Sequence, residues 1–316
     1  MPSDTAARRG PYGFLGPEGS FAHAAAQALG EGVELVAHAS VAEAVDAVRD
    51  GTVTGAVVPL ENSVEGSVPA TLDELAELAS GRPLVITAET YLPVVFDLLA
   101  RPGTTLPAIG TVATHPHAAA QVRRYLLDQL PGAKVVPVGS TAAGAQAVSD
   151  GEYDAAVAPA AAGPRYRLAS LAHDIADNPG AVTRFVLLGP PAPPPPPTGN
   201  DRTTVLTYLK DNHAGALLEI LTEFAARGVN LTRIESRPTK GRLGQYCFSI
   251  DCEGHVRDAR VGDALAALHR ICADVRYLGS YPRRDGRVGD IQGGRTDADF
   301  DEAAGWLDRI RGTGAG

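Results

Sequence analysis

A run of seven prolines between Pro190 and Pro197 constrains the fold of this 316-residue chain more than any other feature of its sequence. Proline fixes φ and removes a backbone donor, so such a run favours a stiff, extended spacer and excludes a packed helix or sheet. The spacer, residues 190–200, separates a first region, 11–189, from a second region, 202–283. A chain of this length is expected to form about two domains. We therefore predict two domains joined by a linker.

The charge of the chain is unevenly placed and limits the classes of ligand. Residues 1–189 carry 11 basic and 20 acidic side chains, whereas the remainder carries 17 of each, so the net charge of −9 belongs to the first region. Nucleic acid is excluded as an expected partner, because phosphate binding needs a basic surface. The hydrophobic share of 44% excludes a disordered chain. An anionic substrate in the first region cannot rely on a broad basic patch.

The cysteines and the apolar runs indicate a compartment. Cys247, Cys252 and Cys272 show no paired spacing, which argues against a disulfide scaffold and fits a reducing cytosol. The first ten residues lack the apolar segment of a secretory signal. No run approaches the roughly 18–20 apolar residues of a membrane span. We expect a soluble cytoplasmic protein without a membrane partner.

In the first region, short apolar runs alternate with Ala-rich helical stretches, which is typical of α/β layers with a largely parallel sheet. A long apolar stretch, 84–99, is expected to cross between two such lobes. The predicted strands are 12–15, 33–37, 55–59, 111–113, 134–137 and 154–158, and the predicted helices are 21–29, 41–48, 69–78, 117–130 and 141–148.

The second region is shorter and has a different pattern. Its runs predict the order βαββαβ within about 80 residues, the ferredoxin-like arrangement. The predicted strands are 203–209, 229–235, 245–252 and 275–278, and the predicted helices are 216–226 and 258–271. Residues 284–316 are interpreted as a largely mobile tail with a short helix at 299–311.

Two small polar clusters open predicted helices directly after strands. Ser20 ends the turn Gly16–Ser20, and Ser140 with Thr141 follows Gly139. Free N–H groups at a helix start bind anions without any side-chain cation. Both serines are equally consistent with ordinary N-caps, so the pattern leaves the two interpretations open.

Two further clusters stand at the carboxyl ends of strands, where open α/β sheets bind their ligands, and a third leads a strand. Glu61 and Asn62 follow the third strand, and Gln121 lies one helical turn beyond the segment 114–117. The two histidines of that segment suggest a metal, but no third ligand is spaced near them, so no metal site is predicted. Thr183–Arg184–Phe185 leads a strand-like run; its single cation fits a carboxylate contact or an ordinary strand edge equally well.

Taken together, these clusters resemble one enzyme family. The segments YGFLGPEGSF (12–21), VPLENSVEGSV (58–68), THPHAAAQ (114–121), GSTAA (139–143) and TRF (183–185) resemble prephenate dehydratase. In the second region, GALL (215–218) and ESRP (235–238) resemble motifs of its regulatory ACT domain. The resemblance covers roughly residues 11–283.

The resemblance implies a fold and a reaction. The fold is α/β, with two lobes around a cleft, similar to type-2 periplasmic binding proteins, followed by a ferredoxin-like ACT domain. The reaction is the conversion of prephenate to phenylpyruvate, water and CO2, which needs no cofactor because an aromatic ring is formed. The implied catalytic residues are Thr183, Asn62, Glu61 and Gln121, and the implied substrate-binding residues are Ser20, Thr114, Ser140, Thr141, Arg184 and Phe185.

The resemblance also implies regulation by L-phenylalanine bound between paired ACT domains, and hence a homodimer or homotetramer. The implied effector site consists of Gly215, Ala216, Leu217, Leu218, Glu235, Ser236, Arg237 and Pro238. The chain departs from its relatives at 211–214, where they commonly carry Arg-Pro before the glycine, and at 160–164. An arogenate dehydratase and a non-catalytic amino-acid sensor remain as alternatives.

Overall fold

The computed structural model describes residues 10–76, 82–238, 246–287, 289 and 291–312. The chain divides into two compact units: the first contains the described residues up to Arg82 together with Thr90–Pro190, and the second contains Pro83–Glu89 and the described residues from Pro191 onward. Within these described ranges, no helix has both the length and the apolar surface needed to cross a membrane.

The first unit is built of alternating strands and helices. Its strands are β1 (Tyr12–Leu15), β2 (Leu35–His38), β3 (Gly55–Asn62), β4 (Gly66–Ser67), β5 (Val85–Pro93, which begins in the second unit), β6 (Asp97–Ala100), β7 (Thr111–Thr114), β8 (Lys134–Pro137), β9 (Ala155–Ala158), β10 (Ala169–Ala172) and β11 (Val182–Gly189). Its helices are α1 (Phe21–Leu29), α2 (Val41–Arg49), α3 (Pro69–Ala76), α4 (Pro116–Gln121), α5 (Arg123–Gln129), α6 (Thr141–Ser149) and α7 (Ala162–Arg165).

The strands form two sheets, one in each lobe. The first sheet has the order β2-β1-β3-β11-β5, with β4 beside β3, and the second has the order β10-β6-β9-β7-β8. On one side of each sheet three consecutive strands are parallel, β2-β1-β3 and β9-β7-β8, while β11 joins β3 and β6 joins β9 antiparallel. The prediction of largely parallel sheets is therefore wrong for these strands: the chain crosses between the lobes and re-enters each sheet in the opposite direction.

One predicted helix differs from the structure for a local reason. The predicted helix 117–130 is two helices, α4 and α5, because Val122 departs from helical geometry at φ −120°. The apolar stretch 84–99 forms β5 and most of β6, so it crosses between the sheets as expected. The last residues of the predicted helix 69–78 lie outside the described residues.

The second unit has the predicted order βαββαβ. It consists of β12 (Asp201–Tyr208), α8 (Ala216–Ala226), β13 (Leu231–Pro238), β14 (Tyr246–Glu253), α9 (Ala259–Ile271) and β15 (Asp274–Pro282). The sheet order is β13-β14-β12-β15, with every neighbouring pair antiparallel. Phe224, Ile250 and Leu268 are fully buried between the helices and the sheet. The expected α/β class, with two lobes followed by a ferredoxin-like domain, is confirmed.

The linker and the tail complete the described chain. The proline run has no helix or strand and is largely exposed. In the tail, α10 (Asp297–Arg311) begins two residues before the predicted helix, because Thr296 and Asp299 form a reciprocal capping box. Asp297 Oδ1 accepts a hydrogen bond from the Ala259 N–H at 2.8 Å, which docks the start of α10 onto α9. Mobility of the tail stays a prediction.

Candidate active site

Asn62 and Thr183 form the centre of the candidate site. They are direct partners across the antiparallel strands β3 and β11, an arrangement that brings facing side chains together. Asn62 Nδ2 donates a hydrogen bond to Thr183 Oγ1 at 2.8 Å. Thr183 is only 8% exposed. The structure thus brings together two of the four predicted catalytic residues.

The turn after β3 fixes the orientation of the Asn62 amide. Asn62 Oδ1 accepts the backbone N–H groups of Val64 at 2.8 Å and Glu65 at 3.0 Å. An amide oxygen that accepts two backbone donors leaves the nitrogen end of the same amide to face Thr183. Because the Thr183 oxygen accepts from Asn62, its own proton is directed elsewhere.

Gln121, from the other lobe, contacts the turn that follows Asn62. It is buried at the end of α4, and its Nε2 donates to Glu65 Oε1 at 3.2 Å. His117 Nδ1 lies 4.0 Å from the other carboxylate oxygen of Glu65. The backbone oxygen of Gln121 accepts from the Asp177 N–H at 2.7 Å. Glu65 therefore connects the two lobes at the candidate site.

Sequence reasoning did not include Glu65 among the site residues. The signal was present in the turn 58–68, because Glu65 follows Asn62 by three residues and an Asx-type turn at Asn62 folds the chain back on itself. Its partner Gln121, however, is 56 residues away in sequence. The sequence around Glu65 therefore does not predict its contact with Gln121.

A second contact between the lobes involves the glycine turn before α1. Tyr166 Oη donates to the Glu18 backbone oxygen at 2.7 Å, and Arg165 forms an ion pair with the Glu18 carboxylate. Gly19 has φ +84°, and a Cβ there would lie 3.3 Å from the Tyr166 ring and 3.4 Å from Ala162 Cα. Glycine is required here both for its backbone conformation and for this close approach.

The two predicted anion-binding serines are helix caps in the structure. Ser20 Oγ accepts from the His23 N–H at 3.2 Å, and Ser140 Oγ accepts from the Ala143 N–H at 3.0 Å. Ser20 also donates to the Leu15 backbone oxygen at 3.2 Å, and Thr141 is the first residue of α6. The hydroxyls thus have structural partners, and contact of Ser20, Ser140 or Thr141 with a ligand stays a prediction.

His23 holds the glycine turn in place. Its Nδ1 accepts the Gly19 N–H at 3.0 Å, and its ring stacks on Phe14 with the centroids 5.0 Å apart. Burial lowers the pKa of His23, Glu18 raises it and Arg165 lowers it, with a net decrease from the ordinary value. The ring is therefore neutral at neutral pH and can serve as the acceptor that this turn requires.

Other predicted substrate residues are not brought to the Thr183 hydroxyl. Thr114 is fully buried, and its hydroxyl donates to the Val157 backbone oxygen at 2.8 Å. Phe185 is a core residue of β11. The Thr114 hydroxyl has a hydrogen-bond partner and the Phe185 ring is buried in the core. Contact of either residue with substrate stays a prediction.

Glu61 and Arg184 form a second facing pair on β3 and β11, next to the first. Successive residues of a strand point to opposite faces, so Arg184 points away from the side on which Thr183 lies. Arg184 is 3% exposed, and its Nη1 lies 4.0 Å from Glu61 Oε2. The geometry therefore places this cation beside a carboxylate of the protein itself, and its role toward a substrate carboxylate stays a prediction.

A separate cavity of about 230 Å³ lies in the second unit. Gly215 opens α8 with φ +93° at one end of the cavity, and Ser236 of β13 faces it. The lining residues are Leu209, Asn212, His213, Gly215, Ala216, Leu217, Leu218, Ser236, Tyr246 and Phe248. Five predicted effector residues are therefore brought together.

The remaining predicted effector residues do not line this cavity. Glu235 and Arg237 alternate with Ser236 along β13 and so point to the opposite face of the sheet. Pro238 is exposed at the end of that strand. Asn212 and His213, from the segment 211–214 that precedes Gly215, line the cavity instead.

Comparison with known proteins agrees with the fold and the motifs. The prephenate dehydratase family model matches residues 12–193, and the ACT domain model matches residues 203–270. A prephenate dehydratase of Amycolatopsis methanolica is 50% identical over 300 residues, which cover 94% of this chain and 97% of that protein.

Two solved structures extend the comparison. The crystal structure of prephenate dehydratase from Arthrobacter aurescens in complex with L-Phe has a TM-score of 0.89 at 47% identity and covers 95% of this chain and 99% of that chain. GqqA, described as a novel type of quorum-quenching acylase, has a TM-score of 0.78 at 32% identity over 87% of this chain and 98% of its own. Because the first family model and these relatives span most of its length, the chain belongs to the prephenate dehydratase family and carries a C-terminal ACT domain.

Proposed function

We propose that this enzyme converts prephenate to phenylpyruvate, water and CO2, with Thr183 as the residue that assists departure of the ring hydroxyl. The observation that carries the proposal is the hydrogen bond from Asn62 Nδ2 to Thr183 Oγ1. Since the oxygen is already an acceptor, the hydroxyl proton is the part of Thr183 that remains to be offered to a ligand.

The chemistry of prephenate explains why a neutral hydroxyl such as that of Thr183 is sufficient to assist the reaction. Prephenate is a cyclohexadienol with two carboxylates. As the bond to the ring carboxylate breaks, its electron pair enters the ring and the hydroxyl leaves from the opposite ring carbon. One proton converts that leaving hydroxide to water, and the products are CO2 and the phenylpyruvate anion. Formation of the aromatic ring supplies the driving force.

The protein's task is then to orient the substrate and to stabilise the leaving hydroxide. A neutral threonine is a weak acid, so we expect its hydrogen bond to strengthen in the transition state rather than in the ground state. A positioned donor of this kind typically contributes about 10²–10⁴-fold in rate. Gln121, on the opposite lobe, is proposed to fix the substrate against Thr183 from the other side.

The two substrate carboxylates need partners in a region with few cations. Residues 1–189 carry a net charge of −9, and Arg184 is buried beside Glu61. We propose that backbone N–H groups at the starts of α1 and α6 hold a carboxylate, because helix N-termini favour anions. Thr114, Glu61, Arg184 and Phe185 would then shape this region without contacting the leaving hydroxyl.

The decisive experiment is incubation of the purified protein with prephenate, with phenylpyruvate followed by its absorbance in alkali. Turnover that is lost in Thr183→Ala supports the proposal. Binding of an amino acid without turnover supports the alternative of a sensor. A kcat/KM for arogenate above that for prephenate supports an arogenate dehydratase.

We propose further that L-phenylalanine binds the cavity beside Gly215 and Ser236 and regulates turnover. The A. aurescens relative was crystallised with L-Phe, and five of the residues implied by the motifs line this cavity. A coupling of about 1–3 kcal/mol would change the apparent affinity roughly 5–150-fold. Titration of activity with L-phenylalanine tests this, with D-phenylalanine as the matched control.

The assembly and compartment are proposals of the same kind. A homodimer or homotetramer is proposed because the family's effector site lies between paired ACT domains. Light scattering of the full chain with and without L-phenylalanine distinguishes these states. A cytoplasmic location is proposed because Cys247, Cys252 and Cys272 are free and buried.

A further inference from the structure

We infer that Glu65 is a positioning residue for the dehydratase reaction, which acts by orienting the side-chain amide of Gln121. This inference deepens the proposed function and rests on it. Glu65 lies in the turn between β3 and β4, with its side chain about one-third exposed. Its Oε1 accepts from Gln121 Nε2 at 3.2 Å.

A carboxylate specifies the direction of the amide that contacts it. An ionised carboxylate only accepts hydrogen bonds, whereas an amide has a donor end and an acceptor end. Glu65 therefore selects the orientation in which the Gln121 nitrogen faces the carboxylate and the Gln121 oxygen faces the other way. A neutral amide at position 65 would accept either orientation and would lose this selectivity.

Glu65 is itself placed by Asn62. The Glu65 N–H donates to Asn62 Oδ1 at 3.0 Å, and the nitrogen of the same amide donates to Thr183 Oγ1 at 2.8 Å. One asparagine thus fixes both the hydroxyl of Thr183 and the carboxylate that orients Gln121. A continuous set of hydrogen bonds joins the two lobes across the site.

The backbone and the side chain of Glu65 make different contacts: the N–H bonds to Asn62, and the carboxylate bonds to Gln121. The turn is held by the backbone N–H groups of Val64 and Glu65, not by the Glu65 carboxylate. A substitution at position 65 therefore leaves the acceptors and donors of this turn in place. His117 Nδ1 lies 4.0 Å from Glu65 Oε2 and is two-thirds exposed. The Glu65 charge also acts on the neighbouring His115 ring.

The catalytic consequence follows from orientation. Misplacement of a group by about 1 Å can cost on the order of 10²-fold in rate. We expect Glu65→Ala to lower kcat about tenfold or more, with a smaller change in KM, because Gln121 remains present but is no longer held. Glu65→Gln should lose less, because it keeps an acceptor but adds a competing donor.

The test is a double-mutant cycle on prephenate turnover with wild type, Glu65→Ala, Gln121→Ala and the double variant. If Glu65 acts through Gln121, the Glu65→Ala loss of about tenfold shrinks to less than about twofold once Gln121 is absent. Equal losses in both backgrounds, or unchanged kcat in Glu65→Ala, would overturn the inference. Where Gln121→Ala is too slow to measure, Gln121→Asn shortens the side chain by one methylene and completes the cycle.

Two controls separate the possible failures. Glu152→Gln removes one negative charge at an exposed position of the same unit, and its kcat should match wild type. Thermal unfolding establishes that each variant is folded, and Glu65→Gln serves in the cycle if Glu65→Ala is not. Absence of prephenate turnover by the wild type would overturn the proposed function, whereas wild-type turnover with an additive cycle would overturn only the role of Glu65.

Discussion

The Asn62 amide donates a hydrogen bond to the Thr183 hydroxyl oxygen over 2.8 Å, across two strands that meet antiparallel. A hydroxyl has one proton and two lone pairs, so an oxygen that accepts from Asn62 retains its proton for a further partner. The polarity of this bond, rather than its existence, is the basis on which we propose Thr183 as a donor toward a ligand.

Asn62→Asp tests this polarity. The introduced carboxylate keeps an oxygen for the Val64 and Glu65 N–H groups but replaces the amide donor by an acceptor, so Thr183 must give its proton to that carboxylate. We expect kcat to fall about 10²–10⁴-fold while the turn remains folded. Steady-state kinetics measure the fall in kcat, and thermal unfolding shows whether the variant is folded. Normal turnover by this variant would contradict the direction assigned to the hydrogen bond between Asn62 and Thr183.

The hydroxyl of Thr183 can be removed or retained. Thr183→Ala should lower kcat by about 10²–10⁴-fold with a smaller effect on KM, because the donor acts in the transition state. Thr183→Ser keeps the hydroxyl and should retain part of the activity, and Thr183→Val, which keeps the shape, should behave like the alanine variant. Equal kcat values for the serine and valine variants would show that the hydroxyl is not the active group.

Local pattern predicted the elements well where neighbouring residues determine them. The strand 12–15 and the helix 21–29 are confirmed with the bounds expected, since the turn and the Ser20 cap lie within a few residues. β3, by contrast, continues from 59 to Asn62, because β11 pairs with Glu61 and Asn62. That pairing joins residues about 120 apart in sequence and has no local signal.

The same distinction applies to the site. The family resemblance named Asn62, Thr183 and Gln121, but sequence alone could not give the donor and acceptor in each contact. Thr114 is a polar residue at a strand end, yet its hydroxyl donates a hydrogen bond to the Val157 carbonyl oxygen of a neighbouring strand. Glu65 was missed because its contact is with a side chain from the other lobe.

His23 should make stability depend on pH. Its folded pKa is lowered by burial, whereas in the unfolded chain it is near 6.5. The unfolded state therefore binds more protons, and the stabilising contribution present above about pH 6.5 is lost as pH falls through the folded pKa. Protonation at Nδ1 would also remove the acceptor for the Gly19 N–H.

Unfolding midpoints of wild type and His23→Gln, measured between about pH 5 and 7.5, test this dependence on pH. Glutamine does not titrate but offers an acceptor of similar reach. We expect the wild type to lose stability more steeply than the variant as pH falls through this interval. Parallel curves for the two proteins would mean that another group is responsible.

The substitution Gly215→Ala tests whether the cavity of the second unit binds L-phenylalanine. Gly215 caps α8 at φ +93°, and a Cβ there meets no atom within 4 Å, so Gly215→Ala strains the backbone without steric collision. The left-handed conformation costs a non-glycine residue roughly 1–2 kcal/mol. We expect a several-fold rise in the L-phenylalanine concentration for half-maximal effect, with kcat unchanged. Gly132→Ala, also in open space but in the first unit, should leave the response as it was.

Glu89 and Arg202 form a buried ion pair in the second unit, with Glu89 only 1% exposed and its Oε2 2.5 Å from Arg202 Nη1. The other oxygen of Glu89 accepts the Arg284 N–H at 2.9 Å, and Arg202 Nη2 also donates to Asp285 at 2.8 Å. Removing one partner of a buried pair costs about 3–5 kcal/mol. Because Asp285 still pairs with Arg202 when Glu89 is removed, we expect a loss at the lower end of that range.

Glu89→Ala should therefore lower the free energy of unfolding of the second unit by about 3 kcal/mol, measured by denaturant titration of the full chain. The matched control is Asp50→Ala, which breaks an ion pair with Arg82 in which both side chains are more than 60% exposed. Exposed pairs contribute about 0–1 kcal/mol, so this variant should unfold close to wild type. Losses of equal size would show that burial does not set the contribution of the Glu89 pair. The paired replacement Glu89→Leu with Arg202→Met should recover part of the loss, because it also removes the buried Arg202 charge that has lost Glu89, while retaining the volume.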